Sequence, residues 1–147
     1  MAALKAFRTA CKSGTAACTT AWDFPSAVLA EESGMDLILI GGSTGVVALG
    51  LEDTVGVTLD EIIYHARAVA RGAKTPFRLG DLPLGSYEKS PEHAVDSSLR
   101  LIKEGKCHGV KLEGGREMAP HVAAITRAGV PVIGHIGLTP ASACVRG

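Results

Sequence analysis

The chain has 147 residues, enough for one compact domain and short for two. Its 15 lysines and arginines balance 15 acids, a formal charge of zero that argues against a nucleic-acid partner or a polybasic hold on a membrane. Hydrophobic residues make up 46% and charged ones 20%, so the chain can bury a core, and its 18 glycines, roughly 12% against a usual 7%, point to tight turns or close backbone–ligand approaches. A small-molecule enzyme scaffold is the class these quantities favour.

The first 22 residues carry Lys5, Arg8 and Lys12 and no acid before Asp23. Leu4, Phe7 and Cys11 fall at i, i+3 and i+7, which predicts an amphipathic leading helix; a transit peptide is the alternative reading. Residues 15–20 are small and partly β-branched and predict a short strand. Residues 24–34 predict a helix with Pro25 in its first turn and Gly34 as its stop. DLILIGG at 36–42 is a continuous apolar run of strand length, the pattern of a strand buried on both faces. The connection over 41–57 is long for a βα loop, and such loops are usually functional. Thr58 and Glu61 have capping-box spacing at the head of a helix that Gly72 ends.

A third strand is predicted at 75–83, then a helix at 91–105 with Ser90 as cap, Pro91 at its first position and Gly105 as its end. CHGVKLEGG at 107–115 predicts a fourth strand, 117–128 a further helix and VPVIGHIG at 130–137 a fifth strand. Thr139 and Pro140 have the form of another helix start. No linker, low-complexity tract or repeat divides residues 1–147, so they read as a single domain.

Strands alternating with helices predict βαβ units and a parallel sheet. An open doubly wound sheet and a closed (β/α)8 barrel compete. GGSTG at 41–45 fits neither GxGxxG nor GxxxxGK[ST], so nucleotide binding lacks its fingerprint. Polar residues at the C-terminal ends of several strands favour the barrel. Five strands are just over half of one. An isolated half would leave two bare edges and an uncovered apolar interior, so the expectation is an α/β chain of the TIM-barrel class, incomplete at its C-terminal side.

Asp81 ends the third strand and shares a face with Leu79. Lys111 and Glu113 lie two apart at the end of the fourth, before two glycines; His135 ends the fifth; Ser43 comes just after the second. Each has a structural reading as a cap or a buried pair. Together, acids and a lysine at one end of successive parallel strands suit Mg2+ and an anionic substrate. His65, His93 and His121 fall on predicted helices and read as surface or helix-face residues, while His108 opens a strand far from that end. Trp22 could line a pocket, with Asp23 as a helix cap. Cys11, Cys18, Cys107 and Cys144 are too dispersed for a metal knuckle and read as reduced thiols. No hydrolase elbow or family cysteine motif is present, and no apolar run approaches the length of a membrane span.

TTAWDFPSA, LILIGGSTG, VALGLEDT, VTLDEIIYHARAV, GDLPLGSYEKSPE, GVKLEGG and VIGHIGLTP, in this order, resemble the ketopantoate hydroxymethyltransferase family. The resemblance runs from about residue 4 to Pro140. It implies a (β/α)8 barrel, a homo-oligomer, Mg2+, and transfer of a hydroxymethyl group from methylenetetrahydrofolate to the 2-keto acid ketoisovalerate in pantothenate biosynthesis. It leaves a mitochondrial or cytoplasmic location open. By the same resemblance Asp81 is a metal ligand lying against the keto acid, Glu113 a second metal carboxylate, Lys111 a substrate contact and Ser43 a contact to the substrate carboxylate. Two departures stand out. The family pattern reads Gly-Asp-Ser where this chain reads Gly41-Gly42-Ser43, so a third metal carboxylate is missing. The family's general base, a glutamate on a later strand, falls past Gly147, so no catalytic residue is assigned. A catalytically inactive truncated paralogue or subunit is therefore the alternative. A lyase of the phosphoenolpyruvate mutase and isocitrate lyase kind is a third reading, supported by the pattern at 30–36 and opposed by GDLP and GHIGLTP.

Overall fold

A computed structural model describes residues 2–142. Helix α1 (Ala2–Ser13) leads into β1 (Cys18–Thr20), α2 (Phe24–Glu32), β2 (Leu37–Ile40), the short α3 (Ser43–Val47), α4 (Leu59–Gly72) and β3 (Phe77–Asp81). Then come α5 (Pro91–Lys103), β4 (Gly109–Glu113), a 3-10 turn at Arg116–Met118, α6 (Ala119–Arg127) and β5 (Val132–His135). A second 3-10 turn at Pro140–Ser142 stands where Thr139 and Pro140 predicted a helix start. Cys144 lies outside the described residues.

The five strands form one sheet in the order β1-β2-β3-β4-β5, every pair parallel. All the predicted strands are present, shorter at their ends than the apolar runs that announced them. The flanking glycines, such as Gly41 and Gly114, leave the ladder and begin loops. Helix α3 lies inside the 41–57 connection, where the sequence predicts only a loop.

Local signals explain the helix ends. Ser26 N–H donates to Asp23 Oδ1 at 2.8 Å, so Asp23 caps α2. Thr58 and Glu61 cap α4 reciprocally, with Thr58 N–H donating to Glu61 Oε2 at 2.7 Å and Glu61 N–H to Thr58 Oγ1 at 3.3 Å. Gly34 comes after α2 at φ +69°, the left-handed stop expected of it. Gly72 works differently. It is the last residue of α4, and a Cβ there would stand 2.7 Å from the Phe24 carbonyl oxygen and 2.8 Å from Ala27 Cβ. Close packing of α4 on α2, not a turn, demands this glycine.

Alternation along the strands separates two apolar layers. Ile38, Ile40, Val110 and Leu112 face the helices and pack with Ala27, Ile62, Ala66, Val69, Leu101 and Ile125 in the main core. Leu37, Phe77 and Leu79 face the other way and form a second cluster with Leu39, Ile133, Leu4 and Phe7. The inner face that the sequence left uncovered is therefore partly roofed by α1, with Phe7 stacked on Phe77 at 5.5 Å between ring centroids. Cys11, grouped by spacing with Leu4 and Phe7, is exposed instead: the contact ends a turn earlier.

Candidate functional site

The inner face turns polar at the C-terminal ends of its strands. Register places Asp81 beside Lys111 and Glu113 beside His135. Because residues two apart share a face, Leu79 leads to Asp81, Lys111 to Glu113 and Ile133 to His135. The three central polar side chains, Asp81, Lys111 and Glu113, line a cavity of about 170 Å³ together with Gly42, Ser43 and Thr54.

Lys111 Nζ lies 2.8 Å from Asp81 Oδ1, with each side chain 12% exposed. The Gly42 N–H donates to Asp81 Oδ2 at 3.1 Å. Lys111 Nζ is also 3.4 Å from His135 Nδ1, which stands 3.5 Å from Glu113 Oε1. Burial pushes the Asp81 carboxyl above the usual carboxylate range, and the Glu113 charge acts in the same direction. The Lys111 ammonium and the Gly42 N–H oppose that rise without cancelling it. The Thr54 hydroxyl, also on the cavity wall, is buried and has no hydrogen-bond partner among the described residues.

Of the residues singled out by sequence, Asp81, Lys111 and Glu113 converge, His135 joins them at the β5 end, and Ser43 stands exposed at the rim as the first residue of α3. Sequence reasoning missed three contributors: the Gly42 amide, Thr54, and Tyr87, whose hydroxyl donates to the Glu113 carbonyl at 3.0 Å. A tyrosine in a loop carries no signal of its own before the fold is known.

Two of the three helical histidines differ from the surface reading, while His93 is half-buried. His65 is 8% and His121 9% exposed, so both are buried. His65 Nδ1 donates to the Trp22 carbonyl at 2.6 Å and ties α4 to the β1–α2 turn, because α4 lies flat against α2. His108 stays away from the site, at the opposite end of the strands, beside Phe77 and Arg78. Cys107 is buried and its thiol is pushed up to about 12 by burial, while Cys11 and Cys18 are exposed; all three are free thiols.

No group of three or more His, Cys, Asp or Glu side chains is gathered as a metal cage among the described residues. Two carboxylates on one cavity wall nevertheless fit a hard divalent cation such as Mg2+, which commonly takes one or two carboxylates and completes its octahedron from substrate and water. The unpartnered Thr54 hydroxyl beside them fits a polar ligand. Position 42 also has room for more: a Cβ there would lie 3.4 Å from Thr54 Cβ and 3.9 Å from Asp81 Oδ2, at an ordinary helical φ of −57°.

A family described as ketopantoate hydroxymethyltransferase matches residues 2–147. The chain is 60% identical over 121 residues to the 3-methyl-2-oxobutanoate hydroxymethyltransferase of Emericella nidulans, covering 82% of this chain and 35% of that protein. It is 55% identical over 121 residues to the same-named protein of Oleidesulfovibrio alaskensis, covering 82% and 42% respectively. The chain thus spans less than half the length of these relatives. Among solved structures, a phosphonopyruvate hydrolase in complex with oxalate and Mg++ superposes with a TM-score of 0.74 at 17% identity, over 91% of this chain and 52% of that one. Phosphoenolpyruvate phosphomutase from Streptomyces platensis subsp. rosaceus gives 0.72 at 21% identity, over 90% and 52%. At such identities the likeness is one of fold. It places the five strands in the (β/α) barrel class, as an open part of such a barrel. The sequence relatives support the hydroxymethyltransferase reading over the lyase one.

Proposed function

The chain belongs to the ketopantoate hydroxymethyltransferase family, and we propose that it carries the keto-acid-binding part of a site for one-carbon transfer from methylenetetrahydrofolate to ketoisovalerate. The observation that carries this reading is the buried Asp81–Lys111 pair opening, with Glu113, on one cavity at the ends of adjacent parallel strands.

Asp81 and Glu113 are the residues that would hold Mg2+. A divalent ion held there would supply Lewis acidity, lowering the pKa of the C–H beside the keto group. The chain's own groups have distinct tasks. The Gly42 N–H fixes Asp81 Oδ2 and so orients the carboxylate. Lys111 brings a positive charge to the middle of the cluster, where it offsets Asp81 and attracts the substrate carboxylate. Ser43, at the rim, offers a hydroxyl to that same carboxylate. The low-dielectric wall strengthens the contacts of the buried Asp81 and Lys111, while Ser43 works at the solvated rim. Removal of the substrate proton is assigned to no residue of this chain.

Homo-oligomeric assembly, and a mitochondrial or cytoplasmic place of action, are part of the same proposal and rest on family membership. No described helix is long and apolar enough to cross a membrane.

Calorimetric titration with ketoisovalerate, with and without Mg2+, tests the reading. We expect Mg2+-dependent binding that Asp81→Asn and Glu113→Gln each weaken by tenfold or more. Deuterium exchange at C3 of ketoisovalerate, monitored by NMR, then separates binding from catalysis. With Gly42 in place of a third carboxylate, we expect exchange to be weak relative to binding. Binding that ignores both carboxylate substitutions would overturn the assignment.

A further inference from the structure

The segment linking β3 to α5 is stitched to β4 at two points that bracket the site. The Leu82 N–H donates to the Lys111 carbonyl at 2.8 Å, and the Tyr87 hydroxyl donates to the Glu113 carbonyl at 3.0 Å. Tyr87 is 2% exposed, so this hydroxyl has no water to fall back on. The rest of the segment is braced so that the ring stays in place. Ser86 Oγ donates to the Pro83 carbonyl at 2.7 Å, Ser97 Oγ of α5 donates to the Ser86 carbonyl at 2.6 Å, and Glu88 Oε2 accepts from the Gly85 and Tyr87 amides at 2.8 and 3.2 Å.

Glu113 needs such a hold. It is the last residue of β4, and Gly114 comes next at φ +133°, a conformation other residues rarely adopt. The Gly114 N–H donates to the His135 carbonyl at 3.1 Å, so the strand is tied to β5 on one side just beyond Glu113. On the β3 side the ladder ends at Asp81 opposite Lys111, two residues short of Glu113. There the Tyr87 hydroxyl takes over from the backbone.

We propose that Tyr87 is a positioning residue that sets the Glu113 carboxylate relative to Asp81 by holding the Glu113 carbonyl. The inference rests on the proposed function, in which both carboxylates hold the metal that meets the keto acid. Tyr87 acts through the end of β4, by way of the Glu113 carbonyl.

Tyr87→Phe removes the hydroxyl and keeps the ring. In calorimetric titration of the full chain with Mg2+ in the presence of ketoisovalerate, we expect affinity to fall roughly tenfold, the range for groups that orient metal ligands. Glu31→Ala, which cuts the hydrogen bonds to the Lys74 and Thr75 amides at the opposite end of the strands, should lower the thermal midpoint while leaving Mg2+ affinity within twofold. In a Glu113→Gln background, Tyr87→Phe should change affinity no further, since the carboxylate it positions is gone. Equal Mg2+ affinity for the unaltered chain and Tyr87→Phe would overturn the inference, as would an undiminished Tyr87→Phe effect in the Glu113→Gln background. Absence of Mg2+ binding by the unaltered chain would instead bring down the functional reading, and this inference with it.

Discussion

Lys111 Nζ sits 2.8 Å from Asp81 Oδ1 on the neighbouring strand, with both side chains 12% exposed. Burial and Glu113 already press Asp81 toward its neutral form, so Lys111 is what keeps the carboxylate tolerable there. Lys111→Met should cost about 3–5 kcal/mol of folding stability, because it leaves a buried acid without its counter-charge. Adding Asp81→Asn should recover much of that loss, since the double variant has no charge to strand. Urea unfolding of the single and double variants measures both. A loss under about 1 kcal/mol for Lys111→Met would mean that the pair is far better solvated than its exposure indicates.

Gly42 offers a test by gain of function. An aspartate there would enter at an ordinary helical φ, its Cβ 3.4 Å from Thr54 and 3.9 Å from Asp81 Oδ2. We expect Gly42→Asp to raise Mg2+ affinity by at least tenfold in calorimetry, while lowering the stability of the metal-free protein through repulsion from Asp81. Unchanged affinity would place the cation elsewhere.

Phe7 tests the inner roof. Its ring stacks on Phe77 at 5.5 Å between centroids and covers a cluster that includes Leu37 and Leu79. Phe7→Ala should cost roughly 1.5–3 kcal/mol, the worth of one large apolar side chain taken out of water, and should increase binding of a hydrophobic dye to the uncovered face. A dye signal equal to that of the unaltered chain would show that α1 does not shield the cluster in solution.

His108 sets a pH window. Burial pushes its pKa down to about 4 from 6.5, and the adjacent Arg78 guanidinium, 2.9 Å away, adds to the shift. Above about pH 6.5 the imidazole is neutral in both the folded and the unfolded chain. Between 6.5 and 4 the unfolded chain binds a proton that the folded chain refuses. Stability is therefore full above 6.5 and declines as pH falls toward 4. His108→Gln should flatten this part of a plot of thermal midpoint against pH. An unchanged slope between pH 6.5 and 5 would show that other groups govern it.

Much of the fold is legible in the sequence because its signals are local. The run at 36–42 announces a strand buried on both faces, and Thr58 with Glu61 announces a reciprocal cap; each depends on residues within one turn or one strand. Asp81, Lys111 and Glu113 are legible as a set because strand periodicity puts residues two apart on one face, and parallel strands align their C-terminal ends. Helix α3 is not legible, since STGVV has neither the length nor the cap to announce itself.

What the sequence determined by itself was the alternation of strands and helices, the faces of the strands and the family to which they belong, all set by short-range patterning. Tertiary structure alone decided which distant groups meet. It seated the Gly42 amide on Asp81 across 39 positions of chain and Tyr87 on the Glu113 carbonyl across 26. It also buried His65 against Trp22 and laid α1 across the inner face. Such contacts depend on how packed layers bring loops together, and no periodicity within either partner encodes them.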